Sequence, residues 1–375
     1  MGINEILQSL IEQFPELYWG NFVMIAVGFG LLYLAIIKEY EPVLLLPIGF
    51  GCLLANLGMP ASSDGENFIS VIYRAGIETE LFPLLIFVGV GGMIDFSPLL
   101  SQPRMVLLGA AGQFGIYGTL ILATLLGFSL PEAASIGVIG AIDGPTAIFV
   151  TRKLAPHLLA PIAVAAYSYM SLIPIIQPPF MKLLTTRKER LIRMEYTPRP
   201  VSKRVRVLFP LAATIIISLL APDAAPLIAA LMLGNFLKES GVVERLNKSA
   251  QNEIINISTL FLGLSIGATM TAQGFLRLDT LLILGLGLFA FVLDTIMGLL
   301  FGKLMCVLTG GKINPLIGAC GISAFPMAGR LTAKMAQDED FENFILMHAM
   351  GSNTAGQLGS VIAGGLLLTL VLALQ

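Results

Sequence analysis

Apolar residues run through this chain in long blocks, with short polar interruptions between them. The blocks cover residues 22–37, 42–58, 81–97, 105–128, 132–152, 158–182, 205–221, 224–237, 254–272, 280–308, 314–335 and 343–373. A helix needs ~20 apolar residues to cross ~30 Å of hydrocarbon, and several blocks are short or carry internal Gly and Pro. The pattern predicts an all-α polytopic membrane protein of about ten or eleven membrane segments. Residues 1–20 follow a different rule. Their leucines and isoleucines recur at helical spacing and close on Tyr18 and Trp19, which predicts an interfacial amphipathic helix with an aromatic anchor. The segment has no basic start and no long apolar core, so a cleavable signal is not expected.

The blocks recur as two copies of one unit. PLLIFVGVGGMI (83–94) resembles LFLGLSIGATM (260–270), and YSYMS (167–171) falls opposite MHAMG (347–351). Between them, PEAASIGVIGAIDGPTA (131–147) aligns without gaps to the stretch that starts at Lys312, at an offset of 181. That offset lays Gly137 on Gly318, Gly140 on Gly321 and Pro145 on Pro326. Repeats whose broken segments sit at matching positions are the mark of secondary-transporter folds, where the broken helices meet near the midplane. Inverted topology is the expected relation, and it requires an odd number of crossings per unit. The organisation then reads as an interfacial helix at 1–20, a transmembrane hairpin at 21–60 and a first repeat at 81–182 with its broken segment at 132–152. A basic loop follows at 183–207, linking membrane segments at 208–240, and a second repeat at 254–373 with its broken segment at 314–335.

Composition agrees. Of 375 residues 56% are hydrophobic and only 12% charged, half the ~25% of a soluble domain. A net charge of −2 argues against a nucleic-acid partner. Charge is concentrated between Lys182 and Arg206, where nine Lys/Arg face only Glu189 and Glu195; the positive-inside rule makes this loop cytoplasmic. It also offers a docking surface. The three cysteines, Cys52, Cys306 and Cys320, lie in apolar runs without paired spacing and read as buried free thiols.

Candidate chemistry starts at IGAIDGPTAIFV (139–150), where Asp143 and a Gly-Pro step interrupt an apolar stretch. A carboxylate at the bilayer centre costs roughly 2.5–3.5 kcal/mol, and a broken helix frees backbone groups that lipid cannot satisfy. Both are tolerable beside a water-filled cavity or an ion. The second broken segment, NPLIGACGISAFPMAGRLTAK, supplies Asn314, Gly318 and Ser323, with Arg330 seven residues past Ser323 and expected on the same helical face. Oxygen ligands with one carboxylate suit Na⁺ better than a divalent ion. A third polar group, HAMGSNTAGQLGS (348–360), carries Asn353, Thr354, Gln357 and Ser360. Tyr169 stands either as a core phenol or an ion-site hydroxyl, and Asp294 either as a second ion residue or a scaffold contact. No Walker loop, HExxH, CxxC pair or nucleophile elbow is present, so a conventional hydrolase or ATPase has no support.

GAIDGPTAIF, NPLIGACGISAFPMAGR and HAMGSNTAGQLGS together resemble the beta subunit of the biotin-dependent sodium-pumping decarboxylases, the family acting on oxaloacetate, methylmalonyl-CoA, glutaconyl-CoA and malonate. NFVMIAVGFGLLYLAIIKEYEPVLLLPIGFGCLLANLGMP resembles the family's first hairpin, so the likeness runs end to end. Position by position it marks Asp143, Tyr169 and Arg330 as catalytic and Asp143, Asn314, Gly318, Ser323 and Asn353 as the Na⁺ set. This chain departs slightly from the family pattern at Ile142, Ser352 and Gln357. The resemblance implies a bacterial or archaeal inner-membrane subunit that exports Na⁺ while carboxybiotin, carried by a partner and not bound covalently here, loses CO₂ with consumption of a proton. Its implied partners are a carboxyltransferase (alpha) subunit, a biotin carrier protein or domain, a small membrane gamma or delta subunit and further copies of itself. The alternative is a stand-alone Na⁺-coupled transporter or Na⁺/H⁺ antiporter. Moving two charges against ~150 mV costs roughly 7 kcal/mol, which an exergonic decarboxylation can supply.

Overall fold

Every regular element among the described residues is helical. The structure, a computed structural model, describes residues 17–61, 67–195 and 200–374. The predicted interfacial helix at 1–20 lies, but for its last four residues, outside them. The longer helices are α1 (Trp19–Ile36), α2 (Pro42–Asn56), α3 (Leu81–Met93), α4 (Met105–Ala111), α5 (Phe114–Leu125), α6 (Leu130–Gly137), α7 (Gly144–Leu154) and α8 (Leu159–Ser171). They continue with α9 (Ile173–Leu184), α10 (Lys203–Leu220), α11 (Ala225–Ser240), α12 (Ile255–Thr269), α13 (Leu278–Leu308), α14 (Met327–Glu339) and α15 (Leu346–Ala373).

Against the ten or eleven segments expected, four stretches are long and apolar enough to cross a membrane by themselves, namely α1, α4 with α5, α13 and α15. Two bent pairs raise the number to six. One of them, residues 156–171 with α9, turns by 64°. Of the other apolar blocks, 132–152 and 314–335 are divided where Gly and Pro interrupt the backbone ladder, whereas α2 and α10 are single helices that carry Pro47 and Pro210 inside.

The chain divides into two compact units. The first comprises residues 1–79 and 259–281. Within it α1 packs on α2 through small residues: Gly28 meets the Gly49 carbonyl and Leu53. Asn56, fully buried, donates to the carbonyls of Cys52 (2.9 Å) and Met270 (2.8 Å) and accepts from the Ala272 N–H (3.1 Å). That amide ties α2 to the turn after α12. The outer faces carry Trp19, Phe22, Phe29 and Phe50 exposed, as expected of a lipid-facing surface.

The second unit, residues 80–258 and 282–375, holds the large core and both broken segments. In the first, α6 starts on a capping box, with Glu132 accepting from the Ser129 N–H at 2.9 Å and from its hydroxyl at 2.7 Å. It tightens to a 3₁₀ turn over Val138–Ala141, breaks at Ile142 and Asp143, and restarts as α7 with Pro145 in its first turn. In the second, Asn314 caps a 3₁₀ helix over Pro315–Cys320, residues 321–326 are irregular, and α14 follows. Both segments are therefore broken, at positions 181 residues apart. The flanking spans differ. α8 and α9 part at Leu172, before Pro174, whereas α15 runs unbroken past the equivalent positions Asn353 and Ala355, where no proline occurs.

Candidate functional site

Asp143 lies at the first break, 6% exposed, at the N-cap of α7. Its Oδ2 accepts hydrogen bonds from Thr146 Oγ1 (2.7 Å), Gln357 Nε2 (3.1 Å) and Ser360 Oγ (3.4 Å). Thr146 stands three residues along on α7, so the Asp-x-x-Thr spacing brings its hydroxyl back to the cap. Gln357 and Ser360, three apart on α15, share one helical face. One carboxylate is thus gripped by side chains of α7 and α15, which are far apart in sequence. Three neutral donors solvate its charge without cancelling it, which is the condition for attracting a cation.

The backbone beside it is strained. Ile142 holds φ 51, ψ 41 while wholly buried, and for a β-branched residue the left-handed region costs of order 1–3 kcal/mol. Packing of Ile142 with Phe291, Ile322 and Ala324 in one apolar cluster offsets that cost. On the other side of Asp143, the Tyr167 ring lies so close over Gly144 that no Cβ fits there. The Tyr167 hydroxyl is buried without a hydrogen-bond partner among the described residues.

The second broken segment meets the first directly: Ser323 Oγ donates to the Ala141 carbonyl, two residues before Asp143. Its own backbone is satisfied from several helices, as non-helical chain at membrane depth requires. Gln177 Nε2 donates to the Ala319 carbonyl at 2.7 Å, Gln113 Nε2 to that of Gly321 at 3.2 Å, and Asn353 Nδ2 to that of Ile322 at 2.7 Å. Asn353 Oδ1 is buried and has no hydrogen-bond partner among the described residues. Gly112 and Gly356 both press on the Gly321 carbonyl, leaving no room for a side chain at either.

The other expected residues are placed elsewhere in the unit. Asn314 Nδ2 donates to the carbonyls of Arg190 (3.0 Å) and Ile192 (2.9 Å) and its Oδ1 accepts from the Leu316 N–H (3.0 Å), so its amide fastens the basic loop. Gly318 packs on Gly298, backbone to backbone. The Tyr169 hydroxyl donates to the Leu284 carbonyl. Arg330 is exposed on α14. Its expected common face with Ser323 does not form, because α14 starts only at Met327 and residues 321–326 are irregular. Asp294 acts on the scaffold: its Oδ1 accepts from the Gly115 N–H beside the first broken segment, and its Oδ2 has no partner. Thr146 and Tyr167 lie inside the motifs GAIDGPTAIF and YSYMS without standing out within them, and Gln113 and Gln177 carry no motif of their own; the contacts of all four become visible only once the helices are packed.

Among the described residues, no group of three or more His, Cys, Asp or Glu is placed to hold a metal ion. The oxygen-rich surroundings of Asp143 and Ser323 are of a different kind, suited to a weakly charged hard cation.

Comparison with known proteins adds an independent line. Residues 20–371 match the family described as the Na⁺-transporting oxaloacetate decarboxylase beta subunit. Among the relatives, the methylmalonyl-CoA decarboxylase subunit beta of Veillonella parvula is 52% identical over 97% of both chains. The glutaconyl-CoA decarboxylase subunit beta of Acidaminococcus fermentans is 51% identical over the same share of each. The oxaloacetate decarboxylase beta chain of Klebsiella pneumoniae is 46% identical over the whole of both. A helical chain with paired broken segments around a buried carboxylate, matched to these proteins along its full length, belongs to the beta subunits of the Na⁺-transporting decarboxylases.

Proposed function

We propose that this subunit couples decarboxylation of a carboxybiotin group, presented by a partner's carrier domain, to Na⁺ export across a bacterial or archaeal inner membrane. The observation that carries the reading is the grip of Thr146, Gln357 and Ser360 on Asp143 Oδ2, which joins both repeats at one buried charge. Na⁺ is the cargo. Asp143 supplies its charge, while Ser323, the Ala141 carbonyl and Asn353 Oδ1 supply neutral oxygens at the meeting of the two breaks. Asn314 and Gly318 keep the second break in register, and the two repeats, related by inversion, rock about the shared site.

Decarboxylation needs a proton on the ureido nitrogen as CO₂ leaves. The Tyr167 hydroxyl, unpartnered beside Gly144 and next to the carboxylate, is suited to pass one along. Tyr169 and Arg330, marked by the family motif, position the reacting carboxylate. Cation and proton therefore share one polar region, and occupancy of Asp143 by Na⁺ excludes its protonation. The basic loop between Lys182 and Arg206 faces the cytoplasm, where carboxyltransferase, carrier and small membrane subunit assemble.

The test is transport in proteoliposomes that contain the beta subunit with its membrane partner. Na⁺ uptake is expected only when carboxylated carrier is supplied, in step with CO₂ release. Brisk Na⁺ exchange without carrier, unchanged by adding it, identifies a stand-alone transporter and refutes the coupling.

A further inference from the structure

A cavity of about 680 Å³ opens in the second unit away from Asp143, between the basic loop and the start of the second broken segment. Its lining combines cations with apolar surface. Arg104, Arg193 and Lys312 carry positive charge, and Met105, Met194 and Ile313 form the apolar walls. Arg193 is committed elsewhere, to Asp340 at 2.7 Å and Glu342 at 2.9 Å. The side chains of Arg104 and Lys312 are exposed and make no hydrogen bond or ion pair with a described residue. Glu195 is the acidic residue of the lining, and its backbone is hydrogen-bonded to His348 of the same lining.

Two uncommitted cations of different shape, one a planar fork and one a point charge, are the usual equipment for holding a carboxylate. The methionine and isoleucine walls fit a small saturated ring with an alkyl tail. The volume lies within the range of small-molecule sites. Position ties the cavity to the buried carboxylate. His348 stands in the first turn of α15, and Gln357, the Asp143 partner, lies nine residues along the same helix, ~14 Å away at the helical rise. Ile313 of the lining immediately precedes Asn314, where the second broken segment starts.

We infer that this cavity is the docking pocket for the carboxylated group on the partner's carrier, with Arg104 and Lys312 receiving the N-carboxylate before decarboxylation. The inference rests on the coupling proposed above and adds the place where its chemical input binds. Arg104 and Lys312 act as binding residues here; the proton transfer remains at the Asp143 region. No bond is made or broken in the pocket.

The experiment measures decarboxylation by the reconstituted membrane complex as a function of carboxylated carrier concentration, with Na⁺ varied separately. Arg104→Gln and Lys312→Gln are each expected to raise the carrier KM by ~10-fold or more, the scale of one charged hydrogen bond, at unchanged half-saturating Na⁺. Arg104→Lys and Lys312→Arg restore most of the loss. Glu195→Gln lowers KM, since it removes the charge that opposes an anion, and a merely structural role does not predict this sign. Unchanged carrier KM in both Gln variants overturns the pocket while leaving the coupling intact. Absence of carrier-dependent decarboxylation in the unaltered complex overturns the coupling and this inference together.

Discussion

Asp143→Asn separates charge from shape at the centre of the site. The amide keeps the volume of the carboxylate and still offers one oxygen to Thr146, which donates at 2.7 Å, and to Gln357 at 3.1 Å. What disappears is the negative charge. Two unit charges 4 Å apart at an effective dielectric of 20 attract by ~4 kcal/mol, and ~1.4 kcal/mol is a factor of ten in affinity. Since the amide oxygen retains part of the ligation, Na⁺ affinity is expected to fall by about two to three orders of magnitude. The carboxylate is buried with neutral donors only, so neutralising it in Na⁺-free buffer leaves stability equal or raised. The assay is thermal unfolding of the purified subunit across a Na⁺ titration, with choline holding ionic strength constant. A ligand at a hundred times its Kd stabilises by ~2.7 kcal/mol, and at or below its Kd by less than ~0.5 kcal/mol. The unaltered protein should show the larger shift and Asp143→Asn the smaller one at the same Na⁺ concentration. An Asn variant with the full Na⁺-dependent shift refutes the assignment of Asp143 as the cation's charge partner, whatever its transport activity.

Four further outcomes follow from the same geometry. Tyr167→Phe removes a hydroxyl without a partner, so stability should hold or rise while turnover falls; Tyr169→Phe loses the bond to the Leu284 carbonyl and should cost about 1 kcal/mol. Undiminished turnover in Tyr167→Phe dissociates the Tyr167 phenol from the chemistry. Ser323→Ala combined with Asp143→Glu should be non-additive in half-saturating Na⁺, because Ser323 bonds the Ala141 carbonyl two residues from Asp143; simple additivity separates the two breaks. Asn314→Ala loses three hydrogen bonds around the basic loop and should lower unfolding free energy by about 2–3 kcal/mol, read from denaturant unfolding. Hydrogen bonds from Arg190 to Glu339 and from Arg193 to Asp340 hold both carboxyls below their ordinary range. A depressed folded pKa gives stability that is present above the unfolded value of ~4 and lost as pH falls through the folded one. The basic loop should therefore detach from the end of α14 below about pH 4, seen as faster proteolysis around Arg193, and an unchanged cleavage rate at that pH contradicts the ion-pair anchoring.

The parts legible in the sequence are those whose cost is local. A Gly-Pro step, a lone carboxylate and a glycine cluster are each expensive in hydrocarbon wherever they fall, and so the two breaks and Asp143 stood out before any packing was known. The 181-residue offset carried the pairing of the breaks further, and Ser323 at the Ala141 carbonyl realises it. What stayed hidden depends on rotation and on partners distant in sequence. Tyr167 and Tyr169 differ by two residues, ~200° around α8, so only one can face Gly144, and the motif alone does not say which. Arg330 and Ser323 share helical spacing in sequence, yet the irregular stretch to Pro326 resets the phase before α14 begins.

The two stretches 181 residues apart are also unequal in a way that spacing conceals. In the first, Pro174 follows a break at Leu172; in the second, Asn353 and Ala355 occupy those places and α15 passes straight through. Because α15 is continuous, it can hold Asn353 against the second break and present Gln357 and Ser360 to Asp143 in the first. A symmetric pair of bent helices has no such reach. The asymmetry lets one rigid helix sense both breaks at once, and any rearrangement that frees the Ile322 carbonyl from Asn353 also changes how Asp143 is held. A displacement of α15 as one body reaches both breaks at once through these contacts.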